Sequence, residues 1–477
     1  MVEPLAPAEC FIDGERVAAT GARHLIIDPF TEAPMGAVHD ADDDLVDRAV
    51  TSARRAHASW RDVPVDTRAA LLERVAESLE GEEDSIAGLV TREMGMPISL
   101  ARITQAQLPG RVLRATAEVA RASFPWREES ADAVLLRSGS GVVGAITPWN
   151  MPVHQIIAKV SAAVVAGCAI VLKASEQTPY DALRIAEMFA AAGAPDGLFN
   201  VVTGAGTTTG AALAGHRELS RLSFTGSVRA GRAVAALAAS TLTRTALELG
   251  GKSPAVLLPD ADLDRAVPAA LGSGLVNSGQ ACNATTRLVV PAASFDDVVD
   301  RIRVAAKTYV LGDPTDADTT HGPLVTASAQ RAVLGRIGQA LADGGRLVTG
   351  TGAASRATDT GYFIDPTVIV DLPETAAAVR EEIFGPVVVV QTYSDVDDAV
   401  RIANDSVYGL SAEVWSADED RAQETAARLS VGQVKINGVR TRDRVLVPFG
   451  GMRDSGYGRE LGVMGIDEFT DVTAVMS

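Results

Sequence analysis

The sequence predicts an α/β fold in which parallel sheets are covered by helices on both faces. Three observations carry that reading. Between residues 169 and 248, short apolar runs alternate with amphipathic stretches of helical length, as strands joined by crossover helices require. A second alternating stretch runs from about residue 254 to residue 437. The chain has 477 residues, 47% apolar and 22% charged, enough for about three packed domains.

The elements follow in chain order. Residues 43–60 read as a helix because Leu45, Val46, Ala49, Val50 and Ala53 recur at helical spacing. Asp42, Asp43 and Asp44 put negative charge at its electropositive end. Residues 67–79 and 82–94 read as two more helices. Residues 134–136 and 141–146 are short β-like runs, and a turn follows at Pro148. A buried strand is expected over 169–173 and a helix over 180–192, ending at Gly193. Then come a strand at 199–203, a helix beginning at 206–214, a strand at 221–224, a helix at 227–240 and a strand at 243–248. The second stretch contains the segments 253–258, 263–276, 286–290, 295–309, 387–392 and 432–436. No repeat of fixed period and no low-complexity segment is found. In such sheets ligands bind outside the carboxyl ends of the strands.

Composition excludes several classes. Lys and Arg total 43 and Asp and Glu total 61, a formal charge of −18. Such a surface repels phosphate backbones, so nucleic acid is not expected as a partner. The longest apolar run, 160–172, is too short to cross a bilayer, so no membrane partner is expected. Residues 1–11 include Glu3, Pro4, Pro7 and Glu9 and lack a basic region followed by an apolar one, so no signal peptide is expected. Three cysteines, Cys10, Cys168 and Cys282, argue against a disulfide framework and for a reducing, cytoplasmic location. No metal site is expected.

Two positions stand out for chemistry. Cys282 lies among Ser278, Gly279, Gln280, Ala281 and Asn283, a polar loop of small residues that suits a thiol nucleophile. Cys10 and Cys168 lack such a setting, and Cys168 reads as core. Glu248 ends an apolar strand and precedes Leu249, Gly250 and Gly251. A carboxylate there can serve as a general base, since glycine allows close approach; the plain alternative is a solvated strand end. Phe224-Thr225-Gly226-Ser227 runs from strand to helix, with Gly231 one turn on, and its free amides can hold a phosphate. Gly204, Gly206 and Gly210 form a second cluster between strand and helix, although glycine at such turns is usually geometry alone. Lys173 and Glu176 end another strand, where they can grip ribose hydroxyls or form a surface ion pair.

Seven blocks in order give these positions a context. They are Ile146-Thr147-Pro148-Trp149-Asn150, the segment from Lys173 to Pro179, and Phe224-Thr225-Gly226-Ser227. Next come the segment from Leu247 to Pro254 and Gly279-Gln280-Ala281-Cys282. Last are the segment from Glu381 to Val387 and the run from Pro448 through Glu460. With them the chain, from Phe11 to Asp471, resembles the NAD(P)-dependent aldehyde dehydrogenase superfamily.

The resemblance implies a Rossmann-type cofactor domain (1–118 and 140–250), an α/β catalytic domain (251–449), and a small β oligomerisation element with the C-terminal tail (119–139 and 450–477). That element would join a ribbon near 124–139 to a strand near 470–477, giving a homodimer or homotetramer. The implied reaction is NAD-dependent oxidation of a small-molecule aldehyde to a carboxylic acid. Cys282 would form a thiohemiacetal and then a thioester. Asn150 and the Cys282 amide would hold the oxyanion, Glu248 would activate the hydrolytic water, and Lys159 would help relay protons.

On the cofactor side, Lys173 and Glu176 would hold the adenosine ribose and Ser227 the pyrophosphate. Glu381 would hold the nicotinamide ribose, with Phe384 beside it. Ile146 and Trp149 would line the groove, and Gly206, Phe224, Gly226, Gly231 and Leu249 complete the implied cofactor set. Glu176 favours NAD, with NADP the alternative, because a carboxylate repels a 2′-phosphate. Ala174 replaces the family's common proline without loss of a functional group. Met151 and Ala158 stand where many relatives carry an aromatic, which implies a wide tunnel for a bulky or medium-chain aldehyde. His154 adds a polar group or packs in a helix. No clear arginine pair for a carboxylate substrate is evident; Arg102, Arg442 and Arg444 are candidates. The alternatives are a CoA-acylating relative, which Glu248 argues against, a non-catalytic protein of the same fold, and a cysteine hydrolase, for which no histidine partner is recognised.

Overall fold

The computed structural model describes residues 5–476. Residues 1–4, part of the stretch read for a leader, and Ser477, the end of the expected C-terminal strand, lie outside the described residues.

Two large sheets organise the chain. In the first, the strands Arg244–Glu248, Arg221–Thr225, Val142–Ile146, Ala169–Lys173 and Phe199–Val202 lie side by side and parallel. Antiparallel strands close its edges: Gly456–Tyr457 on one side, Cys10–Ile12 followed by Glu15–Val17 on the other. In the second, Thr367–Val370, Val387–Tyr393, Arg287–Pro291, Pro254–Leu257, Ser411–Trp415 and Gln433–Ile436 are parallel, with Arg346–Thr349 antiparallel at one edge. The expected doubly covered parallel architecture is therefore present. Alternation along the second sheet feeds two cores: Ala255, Leu257, Leu288 and Val290 pack on one face, Val256, Val289 and Val414 on the other.

Local signals explain the elements. The helix Asp43–Trp60 starts where the Asp42 carboxylate accepts from the Leu45 amide at 2.9 Å, and it buries Val46, Ala49, Val50 and Ala53. The helix Pro152–Ala166 was hidden in the sequence. Its buried residues lie all round the axis, so no amphipathic period marks it. Gly167, at φ 99°, ends it and turns the chain into the strand Ala169–Lys173. The apolar run at 160–172 is thus half helix and half strand. Among the described residues no helix is long and apolar enough to cross a membrane.

A separate antiparallel sheet joins Thr470–Val475, Val134–Gly139 and Arg127–Glu129 in that order, with Thr470 opposite Gly139 and Val475 opposite Val134. The expected ribbon and tail strand do come together. The segment 450–477 is not one unit, however. Gly456 and Tyr457 return to the first sheet and pair with Glu248 and Leu247. Residues 249–253 are the junction between the large sheets, and a Cβ on Gly251 would press on the Cys282 carbonyl oxygen. The carboxyl end of the first sheet therefore meets the cysteine turn of the second.

Candidate active site

The cysteine turn is held by its own side chains. Asn277, Ser278 and Gly279 are all left-handed, at φ 51°, 56° and 75°. The Gln280 amide donates to the Asn277 carbonyl at 3.1 Å, and its oxygen accepts from the Val325 amide at 3.0 Å. Ser278 donates to the Gly322 carbonyl at 2.7 Å. Asn277 donates to the Asn150 carbonyl at 3.0 Å, while the Asn150 side chain donates to the Gln280 carbonyl at 2.9 Å. Asn150 is thereby fixed against the loop that carries Cys282. Cys282 is half-buried, and Cys10 and Cys168 are buried. Burial first, then Glu248, Glu382 and Glu460, push the Cys282 thiol up to about 12. The resting residue is a thiol and needs a base to react.

Glu248 is not a solvated strand end. It is 4% exposed, and neither carboxylate oxygen has a hydrogen-bond partner among the described residues. Burial, then repulsion from Glu460, raises its pKa well above the usual carboxylate range, and Lys159 and Arg459 oppose that rise. Lys159 is buried as well. It is 1% exposed, donates to the Thr225 hydroxyl at 2.6 Å and pairs with Glu460. Glu460, the last residue of the seventh sequence block, thereby joins the site, and no local pattern around it marks that role. An unpaired carboxyl beside a paired lysine and glutamate can accept and pass on a proton.

The groove at the strand ends suits a dinucleotide. Lys173 Nζ donates to Glu176 at 2.9 Å at the end of its strand. Ser227 caps the helix Val228–Ala239 by accepting from the Ala230 amide at 3.3 Å, and the helix N-terminus is an anion site of suitable length. Gly226 and Gly231 keep this ledge clear, since a Cβ on Gly226 would meet the Phe224 ring and one on Gly231 the Leu249 side chain. Phe224 and Leu249 are buried supports of the ledge. Gly206 stands in open space, so packing gives no reason for glycine there. Ile146 is buried at its strand end, and Trp149 packs edge-on against Phe384 with centroids 5.6 Å apart.

One expectation needs correcting. Glu381 turns outward, half-exposed, and accepts from Arg336 at 2.5 Å. Its neighbour Glu382 faces inward and accepts from the Gly251 amide at 3.2 Å. Burial raises Glu382 to about 7, and its charge acts on Cys282. Adjacent residues in extended backbone point to opposite sides, and Glu381 has extended backbone (φ −104°, ψ 148°). The two glutamates were indistinguishable by type alone.

A cavity of about 620 Å³ reaches the cysteine turn. Cys282 and Asn150 line its inner end, with Met151, His154 and Val276 along the wall. Burial pushes His154 down to about 4, so its ring is neutral, and Nδ1 has no partner among the described residues. Ala158, expected to widen this tunnel, is buried behind it in the helix. Of the three candidate arginines, Arg442 lines the cavity, and Arg102 pairs instead with Asp84 at 2.8 Å.

Comparison with known proteins gives the family. The model of the aldehyde dehydrogenase family matches residues 17–475. A 3-succinoylsemialdehyde-pyridine dehydrogenase from a Pseudomonas species is 41% identical over 470 residues, 98% of each chain. The structure of a mutant of aldehyde dehydrogenase C from Pseudomonas syringae, complexed with NAD+ and octanal, superposes with a TM-score of 0.96 at 37% identity and covers 98% of this chain and 96% of that one. An NAD+ complex of an aldehyde dehydrogenase from Bacillus cereus gives 0.94 at 35%, covering 99% and 96%. The chain belongs to the aldehyde dehydrogenase family, oxidoreductases that act on the aldehyde group.

Proposed function

We propose that this chain oxidises an aldehyde to a carboxylic acid with NAD, through covalent attachment to Cys282. The observation that carries the reading is Cys282 and Asn150 lining a 620 Å³ cavity, with the unpaired Glu248 near enough for its charge to act on the thiol. Glu248 takes the thiol proton, since Cys282 alone is held near 12. Sγ then attacks the aldehyde carbon and gives a tetrahedral thiohemiacetal. The Asn150 amide and the Cys282 backbone N–H stabilise its oxyanion, each donor contributing about 3 kcal/mol to the transition state. The bound dinucleotide supplies the hydride acceptor. Lys159 with Glu460 passes the thiol proton outward from Glu248, which is then free to deprotonate the water that cleaves the Cys282 thioester.

Lys173 and Glu176 hold the adenosine ribose, Ser227 and the helix N-terminus the pyrophosphate, and Glu382 takes the place first given to Glu381 at the second ribose. Glu176 disfavours a 2′-phosphate, which supports NAD over NADP. The first sheet and its helices form the cofactor domain, the second sheet the catalytic domain, and the three-stranded sheet joins subunits into a dimer or tetramer. The enzyme acts in the cytoplasm.

The test is the absorbance of reduced nicotinamide, with wild type and Cys282→Ala, NAD or NADP, and a panel of aliphatic, aromatic and carboxylated aldehydes. Cys282-dependent formation of NADH is expected. No turnover of any aldehyde by wild type refutes the reading, and turnover only with added CoA replaces water as the acyl acceptor.

A further inference from the structure

The charge of the substrate cavity is unbalanced at its outer end. Six charged side chains line it: Glu413, Glu460, Lys435, Arg265, Arg440 and Arg442. Both carboxylates are already paired, Glu413 with Lys435 at 2.8 Å and Glu460 with Lys159. The three arginines make no ion pair among the described residues. Arg265 Nη2 donates to the Asn437 carbonyl at 3.1 Å and so ties the helix Leu263–Leu275 to the segment that carries Arg440 and Arg442. This local cationic excess stands on a chain of net charge −18.

The arginines lie at the solvent end. Arg265 and Arg440 are exposed and Arg442 is half-buried, whereas Asn150 at the reacting end is buried and Cys282 half-buried. Leu100, Leu108, Val276 and Val445 supply an apolar wall. Burial, then repulsion from Arg440, holds Arg442 below its usual value; Asp443 opposes this and Arg111 adds to it. A guanidinium placed so, with no ion pair among the described residues, matches an oxyanion through paired N–H donors.

We propose that the substrate is an aldehyde whose far end carries an oxyanion, a carboxylate or a phosphate, held at the cavity mouth by Arg442 with Arg440. The inference rests on the aldehyde oxidation proposed above and specifies its substrate class. The aldehyde carbon reaches Cys282, the apolar body lies along the wall, and the charge stays at the rim.

The experiment compares kcat/KM with NAD for para-formylbenzoate, para-formylphenyl phosphate and the methyl ester of para-formylbenzoate. It uses wild type at low and high salt, and Arg442→Gln, Arg442→Lys and Arg440→Gln. At least one anionic substrate should exceed the ester by about tenfold or more, as expected for a charge-assisted pair. Salt should shrink that advantage, since the rim is partly exposed. Arg442→Gln should cut the anionic-to-neutral ratio by about tenfold, chiefly through KM, and Arg442→Lys should restore part of it. Preference for one anion alone upholds the proposal and names the oxyanion. Equal turnover of the ester, no salt dependence, or equal loss on all three substrates in Arg442→Gln overturns it and leaves aldehyde oxidation standing. If wild type oxidises no aldehyde, the underlying reading falls and this inference with it.

Discussion

At the residue scale, the active site is a set of buried groups kept in their less reactive protonation states. Glu248 is raised above the ordinary carboxylate range and Cys282 is pushed up to about 12, both first by burial. Each must lose a proton for the chemistry. The rate with saturating aldehyde should therefore rise from acidic to alkaline pH, and Glu248→Gln should lower kcat by about 10²–10⁴-fold and flatten that rise. The linkage has the opposite sign for stability. A carboxyl with a folded pKa above its unfolded value loses stability as pH climbs from the unfolded value through the folded one. Glu248→Gln removes that loss, so its Tm should equal or exceed wild type, by more at alkaline than at acidic pH. Steady-state kinetics and thermal melts across pH check both halves. A variant as active as wild type, or less stable at alkaline pH, contradicts this account.

The same scale shows what sequence could and could not give. Cys282 stood out because its neighbours are small or polar, and Glu248 because two glycines follow one residue on; Asn150, flanked by Trp149 and Met151, had no such local signal and entered only through the resemblance. Glu381 and Glu382 were not separable, because their difference is the direction of one side chain. Only packing against Gly251 and Arg336 decides it.

At the element scale, the cysteine turn depends on glycine at one position more than any other. Gly279 sits at φ 75°, and a Cβ there would overlap the Gly385 carbonyl. Gly385 follows Phe384, whose ring packs on Trp149, so neither backbone can yield without moving the groove. Gly279→Ala should cost at least about 2 kcal/mol from the left-handed backbone and the clash together. We expect a lower Tm in calorimetry and loss of NADH formation. A normal melt with normal turnover excludes this role for the turn. Elements themselves were readable where one face is solvated, as in Asp43–Trp60. They were lost where all faces are buried, as in Pro152–Ala166, or where strands are three residues long, as in Cys10–Ile12.

At the scale of the whole molecule, the three-stranded sheet is the part with no core of its own to protect. Among the described residues Thr470–Val475 pairs only with Val134–Gly139, which leaves its outer edge open there. Val472 and Val475 are 53% and 45% exposed, and Leu136 on the neighbouring strand is 38% exposed. Open apolar edges favour pairing with another chain. Arg221 anchors the strand to the first sheet by donating to the Thr470 carbonyl at 2.6 Å and to Asp471 at 3.0 Å. The strand should therefore stay folded when its exposed residues change. The double change Val472→Asp and Val475→Asp places like charges where copies would meet, and assembly should fall towards monomer in light scattering. Circular dichroism should stay that of wild type, because both side chains are exposed. Turnover per chain should survive at least in part, since Cys282, Glu248 and the groove all lie within one chain. An unchanged mass would show that the ribbon is not the interface. A collapse of the fold would show that the strand belongs to the first sheet's stability rather than to assembly.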